Sequence, residues 1–297
     1  MTGPHRDDRE LLAWLDDRLA AAGRRRTGDV TVPRVRPWGT VMRAETDRGP
    51  VWLKLPAPDT AFEVALYPLL HRLAPDHVLA PLAADPARGW LLLPDGGETL
   101  RDRPPEEFEQ VLPRYAELQR ALAPAADELI ALGVTDMRPS VLPRRLDEAL
   151  ALVDGVAEVR ARRAWFAEIA AGLAGSRVPA SLDHADLHPG NVFAADGRCY
   201  DWGDSVVGHP FGSMLVALRG AGDRAREAYL EVFTDLAPRA ELRQDLRRAR
   251  IAGNVIRALT WHRALSADPG HGHGTAHAEG PARHLRQLLS ASAWQCP

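Results

Sequence analysis

The stretch that decides the fold lies at residues 184–204 and reads HADLHPGNVFAADGRCYDWGD. Asp186 stands five residues before Asn191, and Asp201 follows ten residues later across a short predicted hairpin. Phosphoryl transfer from a nucleotide to a hydroxyl requires a carboxylate that accepts or orients the hydroxyl proton, and hard oxygen ligands for Mg²⁺. The spacing therefore predicts Asp186 as the base and Asn191 with Asp201 as metal ligands.

Two other interpretations of this stretch are open at the level of sequence. An isolated His-x-Asp is most often a buried histidine beside a capping carboxylate. Alternatively, His184, Asp186 and His188 could be ligands of zinc or iron in a metallohydrolase. The second interpretation gives no role to Lys54 and Glu63.

Lys54 is the single lysine among 37 basic residues, the other 36 being arginine. In a chain that uses arginine wherever a generic positive charge suffices, a lone lysine indicates a position where arginine is unsuitable. Val51, Leu53 and Leu55 alternate with Trp52 and Lys54. This period of two predicts a strand whose aliphatic face points away from the lysine.

The first third of the chain has the pattern of a small sheet with one inserted helix. Strands are predicted at 40–45, 51–55, 77–83 and 89–93, and helices at 7–22 and 60–73. Asp47-Arg48-Gly49 is a hairpin signal between the first two strands. Beyond Asp95-Gly96-Gly97, helices are predicted at about 105–122, 141–154, 157–174, 213–236, 238–266 and 280–292.

The motifs together resemble the aminoglycoside phosphotransferase family. HADLHPGN at 184–191 with DWGD at 201–204 matches the pattern His-x-Asp-Leu/Ile-His-x-x-Asn followed by an aspartate-rich metal segment. WLKLP around Lys54, FEVALYPLLHRL around Glu63 and GWLLLPDGGETL at 89–100 look like the nucleotide-lobe lysine, its helix glutamate and the hinge strand. The similarity spans residues 28–222 and implies a two-lobed, protein-kinase-like α+β fold. A sheet-rich nucleotide-binding lobe would occupy residues 1–96, and a mainly helical catalytic and substrate-binding lobe residues 97–297.

The resemblance also implies a role for each motif residue. Asp186 would be the catalytic base, Asn191 and Asp201 would bind Mg²⁺, and Lys54, positioned by Glu63, would contact the phosphates of ATP or GTP.

Further roles follow for the hinge and the catalytic loop. The Pro94 carbonyl and the Gly96 amide could bind the nucleotide base, since proline keeps its C=O but has no N–H. His184, His188 and Asp204 would support the loop rather than react.

The chain departs from the family pattern at two places. The loop expected to cover the phosphates, PRVRPWGTV at 33–41, contains only Gly39. GHPFGSM at 208–214 lacks the aspartate that the family often places where Gly212 or Ser213 stands, although Ser213 could cap the next helix. How the catalytic loop is braced is therefore open.

Composition limits the class of partner. The net charge of −3 offers no general attraction for nucleic acid or anionic lipid, and mean hydropathy is −0.25. No apolar run is long enough for a membrane span, and the first residues lack a signal-peptide pattern. With two cysteines and no disulfide framework, we expect a cytoplasmic protein whose partner is a small molecule.

The expected acceptor is a hydroxyl of a small, possibly cationic molecule, an aminoglycoside or related amino sugar first, with a role in antibiotic resistance. A polycation needs carboxylates, and the helical lobe offers Asp136, Asp147, Glu148, Asp223, Glu227, Glu231 and Asp235. A choline, homoserine or methylthioribose type of kinase is the alternative, because related folds phosphorylate those compounds.

A nucleotide-binding regulator without catalytic activity is a further possible function. Retained nucleotide binding without phosphoryl transfer would identify it.

His271, His273 and His277 lie in a glycine-rich stretch that could bind a metal, although a mobile surface loop is the simpler interpretation.

Overall fold

The N-terminal part is a five-stranded antiparallel sheet with a helix on each face. The computed structural model describes residues 6–266 and 278–290. The strands are β1 (Arg26–Arg36), β2 (Gly39–Thr46), β3 (Val51–Pro56), β4 (Ala83–Asp85) and β5 (Trp90–Pro94). Their spatial order is β1-β2-β3-β5-β4, so β3 is central.

Helix α1 (Arg6–Ala21) covers one face of this sheet. Its stripe of Leu11, Leu15 and Leu19 packs on Val51 and Leu53 of β3, and all five side chains are buried. Residue 54 therefore belongs to the opposite face, as the alternation predicts. Helix α2 (Phe62–Leu73), which carries Glu63, joins the separate main core together with Leu91 and Leu93 of β5.

The C-terminal part is mainly helical. Its helices are α3 (Pro105–Glu109), α4 (Leu112–Leu122), α5 (Ala126–Ala131), α6 (Leu142–Leu152), α7 (Arg163–Ala174), α8 (Met214–Ala217), α9 (Asp223–Glu231), α10 (Arg239–Ser266) and α11 (Gly280–Ser290). The long helix α10 packs against α6, α7, α8, α9 and α11 and forms the axis of this part. A sheet-rich N-terminal lobe and a helical C-terminal lobe confirm the predicted α+β class. The lobe boundary at residue 96 stays a prediction.

A three-stranded sheet holds the ends of the polar stretch. Its strands are β6 (Thr135–Met137), β7 (Ser181–Asp183) and β8 (Val206–Gly208), in the order β6-β8-β7. β7 pairs antiparallel with β8, and β6 pairs parallel with it. Because β7 ends directly before residue 184 and β8 begins two residues after 204, the sheet fixes both ends of the predicted catalytic stretch.

Several predicted helices are shorter than expected. The helix predicted at 105–122 is broken between α3 and α4, because Pro113 lacks an N–H and its ring conflicts with the preceding turn. The one at 213–236 is split between α8 and α9, where Gly220 adopts φ +74°. The segment 157–162 is a 3₁₀ helix that precedes α7.

The prediction of a strand at 77–83 is wrong. Only β4 forms there, starting at Ala83, and Val78 makes a single bridge to Cys199. Val78 and Leu79 are buried in the core, so their apolar character reflects burial rather than a strand. Pro81 has no N–H and cannot donate a hydrogen bond to a neighbouring strand. Strand β1 was not predicted, because its side chains are mostly exposed and do not alternate between buried and exposed.

Among the described residues, no helix combines the length and apolarity that crossing a membrane requires. The predicted histidine-rich loop, with His271, His273 and His277, lies outside the described residues.

Leu15→Ala should lower the free energy of unfolding by about 2–5 kcal/mol, because Leu15 is fully buried between α1 and the sheet. Urea denaturation followed by tryptophan fluorescence measures this. Leu152→Ala is the control: Leu152 is 46% exposed, so a change within about 0.5 kcal/mol is expected. Equal losses in the two variants would contradict the packing of α1 described above.

Candidate active site

Lys54 lies between two carboxylates that come from different parts of the fold. Its Nζ is 2.7 Å from Glu63 Oε1 and also contacts Asp201 Oδ1. Glu63 has no exposed surface, and its Oε1 also accepts a hydrogen bond from Trp202 N at 2.9 Å. A strand, a helix and the end of the polar stretch therefore meet at one ammonium group.

The charges of this group stabilise one another. Burial alone would lower the pKa of Lys54, but the adjacent Asp201 and Glu63 outweigh it and raise that pKa. Burial would raise the pKa of Asp201, but Lys54 outweighs it and lowers that pKa. Lys54 is thus positive and Asp201 negative at neutral pH.

Backbone conformation aims Asp201 into the cleft. Its φ of +65° and ψ of +61° lie in the left-handed region, which aspartate tolerates better than most residues. Its N–H donates to the Tyr67 hydroxyl at 3.3 Å. This turn brings the carboxylate to Lys54.

Asp186 lies between a cation and a histidine. Its Oδ1 is 3.0 Å from a guanidinium nitrogen of Arg257, and its Oδ2 is 3.8 Å from His188 Nε2. Its backbone carbonyl accepts from Asn191 Nδ2 at 3.1 Å. Burial raises the pKa of Asp186, with Arg257 acting against this and Asp204 adding to it.

Arg257, on α10, is a site residue that sequence reasoning missed. It donates to Asp204 Oδ2 at 2.8 Å, contacts Asp186, and is 5% exposed. Its guanidinium also lies over the ring of Trp261, 5.4 Å from the centroid. In the sequence, Arg257 stands out only as an arginine within the mainly apolar run IAGNVIRAL at 251–259. Because 36 of the 37 basic residues are arginine, this alone does not indicate a functional residue. Asp204, predicted to support the loop, reaches α10 through this residue.

The two loop histidines hydrogen-bond to backbone. His184 is fully buried, and its Nε2 is 2.9 Å from the Tyr200 carbonyl oxygen. His188 Nδ1 accepts from Gly190 N at 3.0 Å. These separate partners do not suit the metallohydrolase interpretation, and no group of three or more His, Cys, Asp or Glu within the described ranges could hold a metal.

Asp183 supplies a carboxylate beside Gly212 and Ser213, where the family often has an aspartate. Asp183 Oδ1 accepts from Ala185 N at 2.8 Å and from the Ser213 hydroxyl, which is 2.8 Å from the Tyr115 hydroxyl. A Cβ at Gly212 would lie 2.2 Å from Asp183 Oδ2, so the aspartate occupies the space a side chain at 212 would need. Burial raises the pKa of Asp183 to about 7. The expected capping role of Ser213 is wrong, because its side chain caps no helix.

A cavity of about 330 Å³ lies beside the predicted hinge. Pro94 and Gly96 line it, with Phe193 and Tyr200 stacked 4.7 Å apart at one wall. A Cβ at Gly96 would lie 2.2 Å from the Phe193 ring, so only glycine fits there. Arg34 also lines the cavity and was not predicted.

A second cavity, of about 190 Å³, is lined by most of the predicted site residues. Among its lining residues are Lys54, Glu63, Asp186, His188, Asn191, Asp201 and Asp204. Lys54, Asp201 and Arg34 line both cavities, which places the hinge pocket next to the catalytic stretch.

Asn191 and Asp201 fit a magnesium ion by the chemistry of their donors. Asn191 uses Nδ2 for the Asp186 carbonyl, which leaves its Oδ1 as a ligand, and Asp201 offers carboxylate oxygen in the same cavity. Mg²⁺ prefers such hard oxygens.

The acidic residues suggested for a cationic acceptor lie elsewhere. Each forms an ion pair with an arginine, and none lines the cavities that contain Asp186: Asp136, Asp147, Glu148, Asp223, Glu227, Glu231 and Asp235. Their charges are compensated by these arginines, so the carboxylate-lined pocket expected from them is not formed by these residues.

Solved structures with a similar fold include two antibiotic phosphotransferases and a choline kinase. A macrolide 2'-phosphotransferase type I is 18% identical over 97% of this chain and 99% of its own, with a TM-score of 0.58. A choline kinase from Streptococcus pneumoniae is 14% identical over 96% and 99%, with a TM-score of 0.65. The GDP complex of wild-type aminoglycoside 2'-phosphotransferase-IIIa is 14% identical over 91% and 94%, with a TM-score of 0.59. These likenesses confirm the two-lobed, kinase-like fold.

A search of curated protein sequences finds no match. The model of the phosphotransferase enzyme family, APH, matches residues 39–242, which include Lys54, Glu63 and the whole polar stretch. Since this match covers more than half of its length, the chain belongs to the phosphotransferase enzyme family.

Proposed function

We propose that the protein transfers the γ-phosphoryl group of ATP or GTP to a hydroxyl group of a small molecule. The observation that carries this proposal is one cavity lined by Lys54, Asp186, Asn191 and Asp201. It joins the hinge pocket through Lys54 and Asp201, so a nucleotide in that pocket would direct its phosphates toward Asp186.

The hinge pocket is proposed to bind the nucleotide base. The Pro94 carbonyl can accept and the Gly96 amide can donate, while Phe193 gives an aromatic wall. Arg34 and Lys54 supply positive charge for the phosphates. The similar fold of aminoglycoside 2'-phosphotransferase-IIIa was solved as a GDP complex, which supports nucleotide binding by a protein of this fold.

Asn191 and Asp201 are proposed to hold Mg²⁺. The ion would neutralise phosphate charge when bound. Glu63 keeps the Lys54 ammonium in place from its buried side.

Asp186 is proposed as the base, acting through Oδ2. Arg257 engages Oδ1 at 3.0 Å, whereas Oδ2 has only His188, at 3.8 Å, so Oδ2 is available to a hydroxyl proton. Burial makes the carboxylate more basic, which favours proton acceptance. Arg257 is a positioning residue that fixes the carboxylate.

An inactive nucleotide-binding regulator is less well supported. Such a protein has no need of the base, both metal ligands and the lysine in one cavity. The acceptor is proposed here only as a hydroxyl-bearing small molecule. The aminoglycoside and the resistance role expected from the sequence stay predictions, and the charges beside Asp186 argue against a cationic acceptor.

Asp186→Asn should lower kcat by at least about 100-fold with little change in nucleotide affinity, because the amide keeps the size of the side chain but cannot take the proton. Asp196→Asn is the control, since Asp196 lies on the same stretch and pairs only with Arg198. Nucleotide turnover with a panel of hydroxyl compounds measures the effect. Near-normal turnover in Asp186→Asn would remove this residue from the mechanism.

Lys54→Arg should lower kcat/KM by at least about tenfold, or about 1.4 kcal/mol. The guanidinium is larger and planar, and the space between Glu63 and Asp201 holds a compact ammonium. Steady-state kinetics at low nucleotide concentration measures this. Arg72→Lys, a change at an exposed ion pair, should leave kcat/KM unchanged. Full activity of Lys54→Arg would show that position 54 accepts any positive charge.

A further inference from the structure

A third cavity approaches Asp186 from outside the nucleotide cleft. It has a volume of about 700 Å³ and shares Arg101, Asp186, His188 and Trp261 with the catalytic cavity. A molecule in it would have direct access to the proposed base. We therefore treat it as the acceptor cavity, an assignment that rests on the proposed phosphotransferase function.

The walls of the acceptor cavity are strongly basic. Five arginines line it, against two carboxylates: Arg101, Arg103, Arg219, Arg257 and Arg283, with Glu109 and Asp186. Arg257 is paired with Asp186 and Asp204, and Arg103 with Glu107. Arg101, Arg219 and Arg283 form no ion pair within residues 6–266 and 278–290. These three exposed guanidinium groups outnumber Glu109, the one carboxylate of the wall that forms no ion pair among the described residues, so the wall is net positive.

Arg219 and Arg283 cannot be explained by the nucleotide phosphates. Arg101 lines the catalytic cavity as well, so it could serve a transferring phosphoryl group. Arg219 and Arg283 line the acceptor cavity and the groove beyond it, and neither lines the catalytic or hinge cavity. A ligand that uses their charge would therefore lie on the acceptor side rather than in the nucleotide cleft.

These two guanidinium groups lie close to other positive charges. Partial burial, followed by Arg257 and Arg283, lowers the pKa of Arg219, although much of this residue is exposed. Burial and the surrounding arginines lower the pKa of His284, at the same wall, to about 3, so His284 is neutral near pH 7. Its Nδ1 lies 3.2 Å from Asn254 Oδ1, which ties α11 to α10. Arg219 and Arg283 are exposed, so solvent screens their mutual repulsion, and an anion bound in the cavity would be attracted by both.

We propose that the acceptor is an anionic hydroxyl compound, whose carboxylate or phosphate group binds Arg219 and Arg283 while its hydroxyl faces Asp186. Guanidinium groups match such oxyanions with paired N–H donors. Phe108, Val216 and Ala217 give the cavity an apolar wall for the carbon skeleton. A polycation would instead face a net positive wall with three exposed arginines that form no ion pair within the described residues.

The reaction balances without a further reactant. The acceptor oxygen forms a bond to the γ-phosphorus, and the bond from that phosphorus to the β–γ bridging oxygen breaks. ADP or GDP leaves with the electron pair, and the hydroxyl proton passes to Asp186 Oδ2 and then to solvent.

The test compares sugars that share a pyranose ring and differ in charge. Glucuronate and glucose 6-phosphate are the anionic probes, glucose is neutral, and glucosamine and kanamycin are cationic. Calorimetry is done on protein saturated with a non-hydrolysable ATP analogue, so that the Lys54 cleft is filled. We expect the anionic probes to bind at least about tenfold more tightly than glucose, with no binding of the cationic ones.

Charge-matched variants show whether the two arginines cause the preference. Arg219→Gln with Arg283→Gln should abolish the anion preference. Arg144→Gln with Arg224→Gln removes the same charge from exposed positions away from the cavity and should retain it. Unchanged anion binding in the first double variant, tighter binding of a cationic probe, or no preference in the unaltered protein would overturn the proposal.

Phosphoryl transfer from labelled nucleotide, measured on the same panel, separates the two levels of inference. Asp186-dependent transfer to cationic acceptors alone would overturn the anionic acceptor and leave the proposed function standing. Anion binding through Arg219 and Arg283 with no transfer to any hydroxyl, even with Mg²⁺ present, would retain the site and count against the phosphotransferase mechanism.

Discussion

The ammonium of Lys54, held between Glu63 and Asp201, is the contact on which the cleft depends. It joins the central strand of the sheet, helix α2 and the end of the polar stretch at a single point. Glu63 is fully buried, so removing the lysine charge would leave an uncompensated carboxylate, at a cost of about 3–5 kcal/mol. The same contact brings Asp201 to the place where nucleotide phosphates are proposed to lie, so folding and function share one constraint.

The proposed catalytic stretch, residues 184–204, is held in a strained backbone conformation by its surroundings. Ala185 and Asp201 have φ of +60° and +65°, a conformation that costs a non-glycine residue of order 1–3 kcal/mol. Ala185 directly precedes the proposed base, and its N–H is bound by the Asp183 carboxylate. Arg257 then fixes the Asp186 side chain from helix α10. The stretch is therefore braced by Asp183 and Arg257, in place of an aspartate at position 212 or 213.

Residue patterns within single segments predicted the longer strands and helices, but not the contacts between distant segments. Alternation in β3 gave the correct orientation of Lys54, and helical spacing predicted α1, α2 and α10. The three-residue strands β6, β7 and β8 are too short to show a period, and β1 is too exposed. Arg34 and Arg257 join the site only through tertiary packing, and Arg257 and Arg283 lie beyond the residues that match the family. The motif at 184–204 is thus readable from sequence, whereas the arginines that line the proposed acceptor cavity come together only through the fold.

The most direct test of the cleft is the magnesium dependence of nucleotide binding. Calorimetry with a non-hydrolysable ATP or GTP analogue compares the unaltered protein, Asp201→Asn and, as the control, Asp196→Asn. Because Asp201 is the proposed anionic ligand of the metal, we expect Mg²⁺ to raise affinity at least about tenfold in the unaltered protein and in Asp196→Asn, and not in Asp201→Asn. An equal gain in all three would contradict the placement of the metal and the phosphates at Lys54 and Asp201.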